Sequence, residues 1–300
     1  MLGDNRTLVQ VVAGPTASGK SAAALALAAS ALEASALEDG RPSLIINADS
    51  AQLYNHLPIL TNQPSRAEQA AVPHALLAFL PPTADYSVGL WRQDAMAAID
   101  RAVAAGQQPI VVGGTGLYLK ALMQGLAVMP PIPPAVRQQG LTLLEGGGEP
   151  ALRDALAAHD PLSAQQIRPR DFVRLLRAYE VVVASGRPIH AWHADPLPPS
   201  PYRFVVTKLL PDRAELYERI NQRFAAMVAA GAVDEVADYL QRYPDPPASA
   251  LKVLGFGQLR DHLAGKLSLA QAIEAAATAT RHYAKRQYTW LRHQMIEVPP

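Results

Sequence analysis

The eight residues GPTASGKS, Gly14 to Ser21, constrain this chain more than any other stretch. They fit the pattern G-x-x-x-x-G-K-[ST], a loop whose backbone N–H groups line a concave anion site. Such a loop works only between a buried strand and the amino terminus of a helix. Both flanks comply: LVQVVAG before it is a β-branched apolar run, and KSAAALALAASALEASALE after it is rich in strong helix formers. The pattern then repeats. PSLIINADS and QQPIVVGGT each read as a buried strand ending in small or polar residues, and SVGLWRQDAMAAIDRAVAAG between them reads as a helix closed by Gly106. Strands alternating with helices imply an α/β fold, here a P-loop NTPase-like core with a parallel sheet flanked by helices and ligands at the carboxyl ends of the strands.

From about Met129 the texture changes. The proline-rich stretches MPPIPP and DPLPPSPY bound a segment with helical patterns and few strand-like runs, so residues 129–200 are expected to form an all-helical insertion between core segments 1–128 and 201–300. Within it IRPRDFVRLLRAYEVVVASGR carries Arg168, Arg170, Arg174, Arg177 and Arg187 against Asp171 and Glu180. YRFVVTKLL returns to strand character, and DRAELYERINQRFAAMVAAG predicts an amphipathic helix capped by Asp212 and ended by Gly231.

Bulk properties remove several classes. The chain has no cysteine, hence no disulfide framework, thiol nucleophile or cysteine-based zinc site. No segment approaches the roughly eighteen uninterrupted apolar residues of a membrane span, and MLGDNRTLVQ lacks the features of a signal peptide, so the cytoplasm is the expected location. With a net charge of +1, any role with nucleic acid must rest on local clustering of charge.

The loop residues Gly14, Pro15, Thr16, Ala17, Ser18 and Gly19 are candidates for a phosphate cradle, with Lys20 as a mobile charge and the Ser21 hydroxyl as a ligand for Mg²⁺. Asp49 in NADSAQ reads either as a Mg²⁺ ligand just past a buried strand or as a general base beside the phosphate site. Thr115 in GGTGLY is either a donor to a phosphate oxygen or the N-cap of the next helix. PIVVGG ends in glycine where a hydrolytic ATPase would commonly carry an aspartate, which weakens a motor or switch reading. Arg219 and Arg223 stand four apart on one helix face, as a clamp for a second phosphate or as solvated surface. TRHYAKRQYTWLRHQ interleaves Arg281, Lys285, Arg286 and Arg292 with Tyr283, Tyr288 and Trp290. It fits either a single-stranded RNA grip or an amphipathic helix with its rings packed inward. His190 and His193 lack acidic partners at ligand spacing, and Pro73 and His74 read as structural.

Taken in order, GPTASGKS, INADSAQLY, DYSVGLW, VVGGTGLYLKAL, RLLRAYEV, RAELYERINQRF, ALKVLGFGQL and ATRHYAKRQYTWLR resemble the tRNA dimethylallyltransferase family, in register from about residue 8 to residue 293. The resemblance implies transfer of a dimethylallyl group from its diphosphate to N6 of adenosine 37 in tRNAs reading codons that begin with U. It implies Mg²⁺, with Ser21 as ligand, as cofactor, and the tRNA anticodon stem-loop and dimethylallyl diphosphate as partners. It places Asp49, Lys20 and Thr115 in catalysis, and residues 14–21 with Arg219 and Arg223 on the diphosphate. Asp49, Ser50, Ala51 and Gln52 would meet the flipped adenosine, and Arg137, Val173, Arg174, Leu175, Leu176, Arg177 and Lys252 the rest of the tRNA. The chain departs from the family pattern at Gln63, where a lysine is common, at Val173 of the usual Gln-Arg pair, and at Gly257, where a basic residue is usual. A monomer is expected. Two other readings use the same loop: a small-molecule kinase taking ATP, and a non-catalytic P-loop module that binds RNA.

Overall fold

A computed structural model describes residues 6–35, 41–195 and 200–295, and divides into two compact units, Gly125–Pro199 and the remainder. The larger unit begins with β1 (Thr7–Ala13), α1 (Lys20–Ser35), β2 (Ser43–Asn47), α2 (Arg66–Ala71), β3 (His74–Ala75), α3 (Val88–Ala104), β4 (Gln108–Gly113) and α4 (Gly116–Gln124). The smaller unit holds α5 (Pro134–Ala157), α6 (Pro161–Gln166), α7 (Phe172–Ser185) and α8 (Ile189–His193). The larger unit resumes with β5 (Tyr202–Lys208), α9 (Arg213–Ala229), α10 (Ala232–Arg242), α11 (Ala248–Leu251), α12 (Phe256–Leu263) and α13 (Leu269–His293).

The five strands form one sheet in the order β3-β2-β4-β1-β5, with every pairing parallel. Parallel strands covered by helices bury both faces. The apolar runs seen in the sequence accordingly become Val9, Val11, Ile46 and Val111 in one cluster and Val12, Ile45 and Ile110 in another. Burying each such side chain contributes about 1.5–3 kcal/mol. Trp91 and Tyr118 stack at 4.5 Å between α3 and α4 and complete the first cluster. The shortest strand, β3, adds His74 and Ala75 to the edge beside Ile45 and Ile46. Two residues after a proline carry no alternation, so the sequence gives no strand signal there.

Local rules account for the helix ends. Ser87 caps α3 by accepting from Leu90 N, and Asp212 caps α9 by accepting from Ala214 and Glu215 N. Ser268 and Gln271 form a reciprocal capping box at the start of α13. In the smaller unit α5 bends at Gly148, two residues before Pro150, and its second half packs Leu152 and Leu156 against Leu175, Ala178, Tyr179 and Val182 of α7. That unit therefore has a hydrophobic core of its own.

Candidate active site

Three adjacent strands, β2, β4 and β1, end level with one another, and their pairing continues past the strand ends. Ala48 N donates to Val112 O at 2.7 Å, Gly14 N to Gly113 O at 3.4 Å and Thr115 N to Ala48 O at 3.3 Å. The loops after the three strands are thereby laid side by side. They border a cleft of about 640 Å³, measured to its open mouth, that Thr16, Lys20, Ser21, Asn47, Asp49, Gln52 and Arg223 line.

The phosphate loop turns tightly. A Cβ on Gly14 would meet Ser18 Oγ at 2.3 Å and Leu209 O at 3.0 Å, so the loop is packed tightly there, and Ser18 N donates to Pro15 O at 3.2 Å. Ala17 adopts φ 64°, a conformation that costs an alanine free energy. Ser18 Oγ is buried without a protein partner among the described residues, an acceptor and donor left over inside the loop. Lys20 Nζ reaches back to Pro15 O at 3.4 Å. Burial pushes the Lys20 ammonium below the usual lysine range; the Asp49 carboxylate opposes this shift and the Arg223 guanidinium adds to it. Arg223 is lowered by burial too, again opposed by Asp49, and its Nη2 donates to Thr16 Oγ1 at 2.8 Å. Two half-dehydrated cations facing one carboxylate make a site that gains from an anion. Arg219 takes a different place: it is exposed at the rim beside Gly19 and paired with Glu215 at 2.5 Å. Both arginines thus face the loop, one inside the cleft and one at its edge.

Asp49 is held by a residue that the motif reading passed over. Asn47 Oδ1 accepts from Asp49 N at 3.0 Å, while Asn47 Nδ2 donates to Asp49 O at 3.1 Å and to Leu76 O at 3.0 Å. Trp91 Nε1 fixes the Asn47 carbonyl at 3.0 Å. The signal was an asparagine closing the apolar run LIIN, where a polar side chain needs a reason. Asp49 Oδ1 accepts from Ala51 N at 3.1 Å, and Ser50 N donates to Thr115 Oγ1 at 3.1 Å. Gln52 Nε2 donates to Thr61 O at 3.1 Å and to Asn62 O at 2.7 Å. Gln63, the departure from the family lysine, donates to Tyr54 O at 3.0 Å.

Thr115 precedes the first residue of α4 and its carbonyl accepts from Tyr118 and Leu119 N, but its hydroxyl serves Ser50 N and Tyr283. It joins loops instead of capping its own helix with its side chain. Burial, with Asp49 next, pushes the Tyr283 phenol up to about 12.

The carboxyl-terminal helix turns its rings toward the protein and part of its charge toward solvent. Tyr283 lies against Thr115, Trp290 packs on Gly116, and Tyr288 stacks under Arg213 at 5.4 Å. The three rings are partly buried against the protein, on the helical stripe that closes over the strand ends. Arg281 bonds Asn221, Glu274 and Thr278, whereas Lys285 and Arg286 are exposed.

In the smaller unit the helical period sorts the expected RNA contacts. Val173 is 81% exposed, and Arg174 is exposed with Asp171 beside it. Leu175 is wholly buried in the core of α5 to α8, on a different side of the helix from exposed Val173 and Arg174. Leu176 is partly buried against Gly140. Arg137 and Arg177 both pair with the buried Glu180 carboxylate, at 2.8 Å and 3.4 Å, leaving their outer N–H groups at the surface. Arg187 leaves the basic cluster altogether: it forks onto Asp195 at 2.6 and 2.8 Å and lies over Trp192. In the larger unit Lys252 is exposed just after α11.

Comparison with known proteins adds identity to this geometry. Residues 52–294 match the family model described as IPP transferase. The chain is 46% identical over 289 residues to a tRNA dimethylallyltransferase of Nitrobacter hamburgensis, spanning 96% of this chain and 88% of that protein. It is 46% identical over 290 residues to one of Rhodospirillum centenum, spanning 96% and 89%. Among solved structures, a eukaryotic dimethylallyltransferase acting on tRNA superposes with a TM-score of 0.79 at 26% identity, over 95% of this chain and 70% of that one. A tRNA isopentenylpyrophosphate transferase of Staphylococcus epidermidis superposes at 0.66 with 28% identity, over 97% and 92%. A family match across most of the sequence, with the fold and the phosphate loop in the same frame, is more than a shared architecture: the chain belongs to the IPP transferase family.

Proposed function

We propose that this chain is a tRNA dimethylallyltransferase, moving the dimethylallyl group of dimethylallyl diphosphate onto N6 of adenosine 37 in tRNAs that read codons beginning with U. The observation that carries the reading is that Asp49 shares one cleft with the phosphate loop, Lys20 and Arg223. The N6 amine is a weak nucleophile because its lone pair is delocalised into the purine. As N6 attacks the first carbon of the prenyl chain, the Asp49 carboxylate takes the N6 proton, the carbon–oxygen bond breaks and pyrophosphate leaves. The loop amides of Ala17 and Gly19, together with Lys20, Arg223 and the Thr115 hydroxyl, meet the negative charge that grows on the departing group, with Arg219 at the outer phosphate. Loss of one such donor costs about 2.7–4 kcal/mol of transition-state stabilisation.

A Mg²⁺ ion suits these residues in one particular way. Among the described residues no group of three acidic or histidine side chains forms a ready-made cage. Ser21 and Asp49 line the same cleft, which matches a cation that takes one or two protein oxygens and fills its shell with water and substrate phosphate. Ser21 would hold it, and it would neutralise charge on the diphosphate. Calorimetry of inorganic pyrophosphate with and without Mg²⁺ tests this apart from turnover.

The anticodon arm is assigned to Arg137, Val173, Arg174, Arg177 and Lys252, and the turn from Asp49 to Gln52 to the extruded adenosine, since chemistry on a base edge requires removal from the stack. No helix among the described residues is long and apolar enough to cross a membrane. The kinase and non-catalytic alternatives are not favoured by the family. The deciding assay incubates the protein with Mg²⁺, dimethylallyl diphosphate and unmodified tRNA, and reads nucleoside masses. A five-carbon addition at adenosine 37 is expected. ATP consumption without a tRNA product would instead indicate a kinase, and tRNA binding with no product from wild type or Asp49→Ala alike a passive module.

A further inference from the structure

On α13, four residues beyond Tyr283 and three before Trp290, stands Gln287, 6% exposed and without a part in the chemistry above. Its amide is used at both ends. Oε1 accepts from Thr16 N in the phosphate loop at 2.8 Å, and Nε2 donates to Gly114 O in the loop after β4 at 2.8 Å. Its partners lie 271 and 173 residues away in sequence. Thr16 is fixed from its other side by Arg223, and a Cβ on Gly114 would lie 2.4 Å from Gln287 Nε2, so the amide and the loop backbone are in closest packing.

We propose that Gln287 is a positioning residue for the diphosphate: it pins the phosphate loop to the loop carrying Thr115, and so sets where the loop amides point. The inference rests on the diphosphate reading of the cleft. A neutral amide is the side chain that can accept from one backbone and donate to another at this reach. A carboxylate at this position loses the donor and faces the Gly114 carbonyl with like charge. A methionine of similar length leaves a buried N–H and a buried C=O unpaired. Because Thr16 N–H is spent on Gln287, it is not one of the amides offered to phosphate; the remaining loop amides are aimed by that anchor.

The test uses the full chain as wild type, Gln287→Glu and Gln287→Met. Both variants are expected to raise the KM for dimethylallyl diphosphate and the Kd for inorganic pyrophosphate about tenfold, with tRNA affinity within about twofold of wild type. Hydrogen exchange at the Thr16 amide should quicken in Gln287→Met. Should the variants fail to fold, wild type alone answers, since pyrophosphate binding should slow exchange along residues 283–290. Folded variants with unaltered pyrophosphate affinity, or wild-type exchange in that stretch indifferent to pyrophosphate, would overturn the role. Failure of wild type to bind pyrophosphate at all overturns the diphosphate reading itself, and the role with it.

Discussion

Lys20 is held below its ordinary range by burial first, with Arg223 adding to the shift against the opposing Asp49. An incoming diphosphate places an anion beside the ammonium and raises its pKa again, so binding takes up a proton as pH rises past the ligand-free pKa and up to the ligand-bound one. Affinity for pyrophosphate should therefore fall as pH rises through the ligand-free value, at a pH below the free-lysine value of 10.5. Isothermal titration across pH should show this alkaline limb in wild type and not in Lys20→Arg. Because the ligand's own titration is common to both, their difference isolates Lys20. Asp49 carries a different expectation. Asp49→Ala should lower the single-turnover rate by about 10²–10⁴-fold, the range for a lost general base, while tRNA affinity stays near wild type. A matching drop in both would make Asp49 a contact to tRNA and not a base.

At the scale of elements, the sequence was most legible where one local rule decides. Strand, loop and helix around GPTASGKS, the cap at Asp212 and the parallel arrangement all follow from short-range pattern. What stayed illegible was any decision made across the chain. The tail of α13 has the composition of an RNA grip, and only its packing on Thr115, Gln287 contacts and Gly116 reveals why the rings are there. Helix α7 shows the same limit on a smaller scale. A run of five residues read as RNA contacts contains one, Leu175, that the 3.6-residue period turns into the core, while Val173, Arg174 and Arg177 keep exposed surface. Substitution separates the two faces. Leu175→Ala should cost about 2–5 kcal/mol of stability in denaturant unfolding, with the tRNA affinity of the folded fraction unchanged. Arg174→Ala should leave the unfolding midpoint nearly in place, weaken tRNA binding and reduce the slope of log K against log salt by about one. Loss of tRNA affinity in folded Leu175→Ala would reverse the assignment of that face.

For the whole molecule, the order β3-β2-β4-β1-β5 and the second core of α9, α10, α12 and α13 could not be read from motifs, because both depend on which distant apolar faces meet. His56 sits in that second core, in the segment LYNHLP after the Asp49 turn. It is 5% exposed, with Nδ1 3.3 Å from the Tyr239 hydroxyl and Nε2 without a partner among the described residues. Burial lowers its pKa from 6.5 to about 4, so the folded protein holds a neutral imidazole where the unfolded chain would bind a proton. Since the native state binds fewer protons between these values, its stability is fully present above 6.5 and is lost as pH falls toward 4. A shift of that size corresponds to at most about 3 kcal/mol. Glu235, which accepts from Ile59 and Leu60 N, is raised by burial and acts with the opposite sign, losing stabilisation as pH rises through its own range. Comparing wild type with His56→Gln cancels the Glu235 contribution and every other carboxylate. Wild type should lose more stability than the variant between pH 7 and pH 5 in urea unfolding, with the two curves parallel above pH 7. Equal losses in both would mean that His56 takes its proton without unfolding the core around Tyr239.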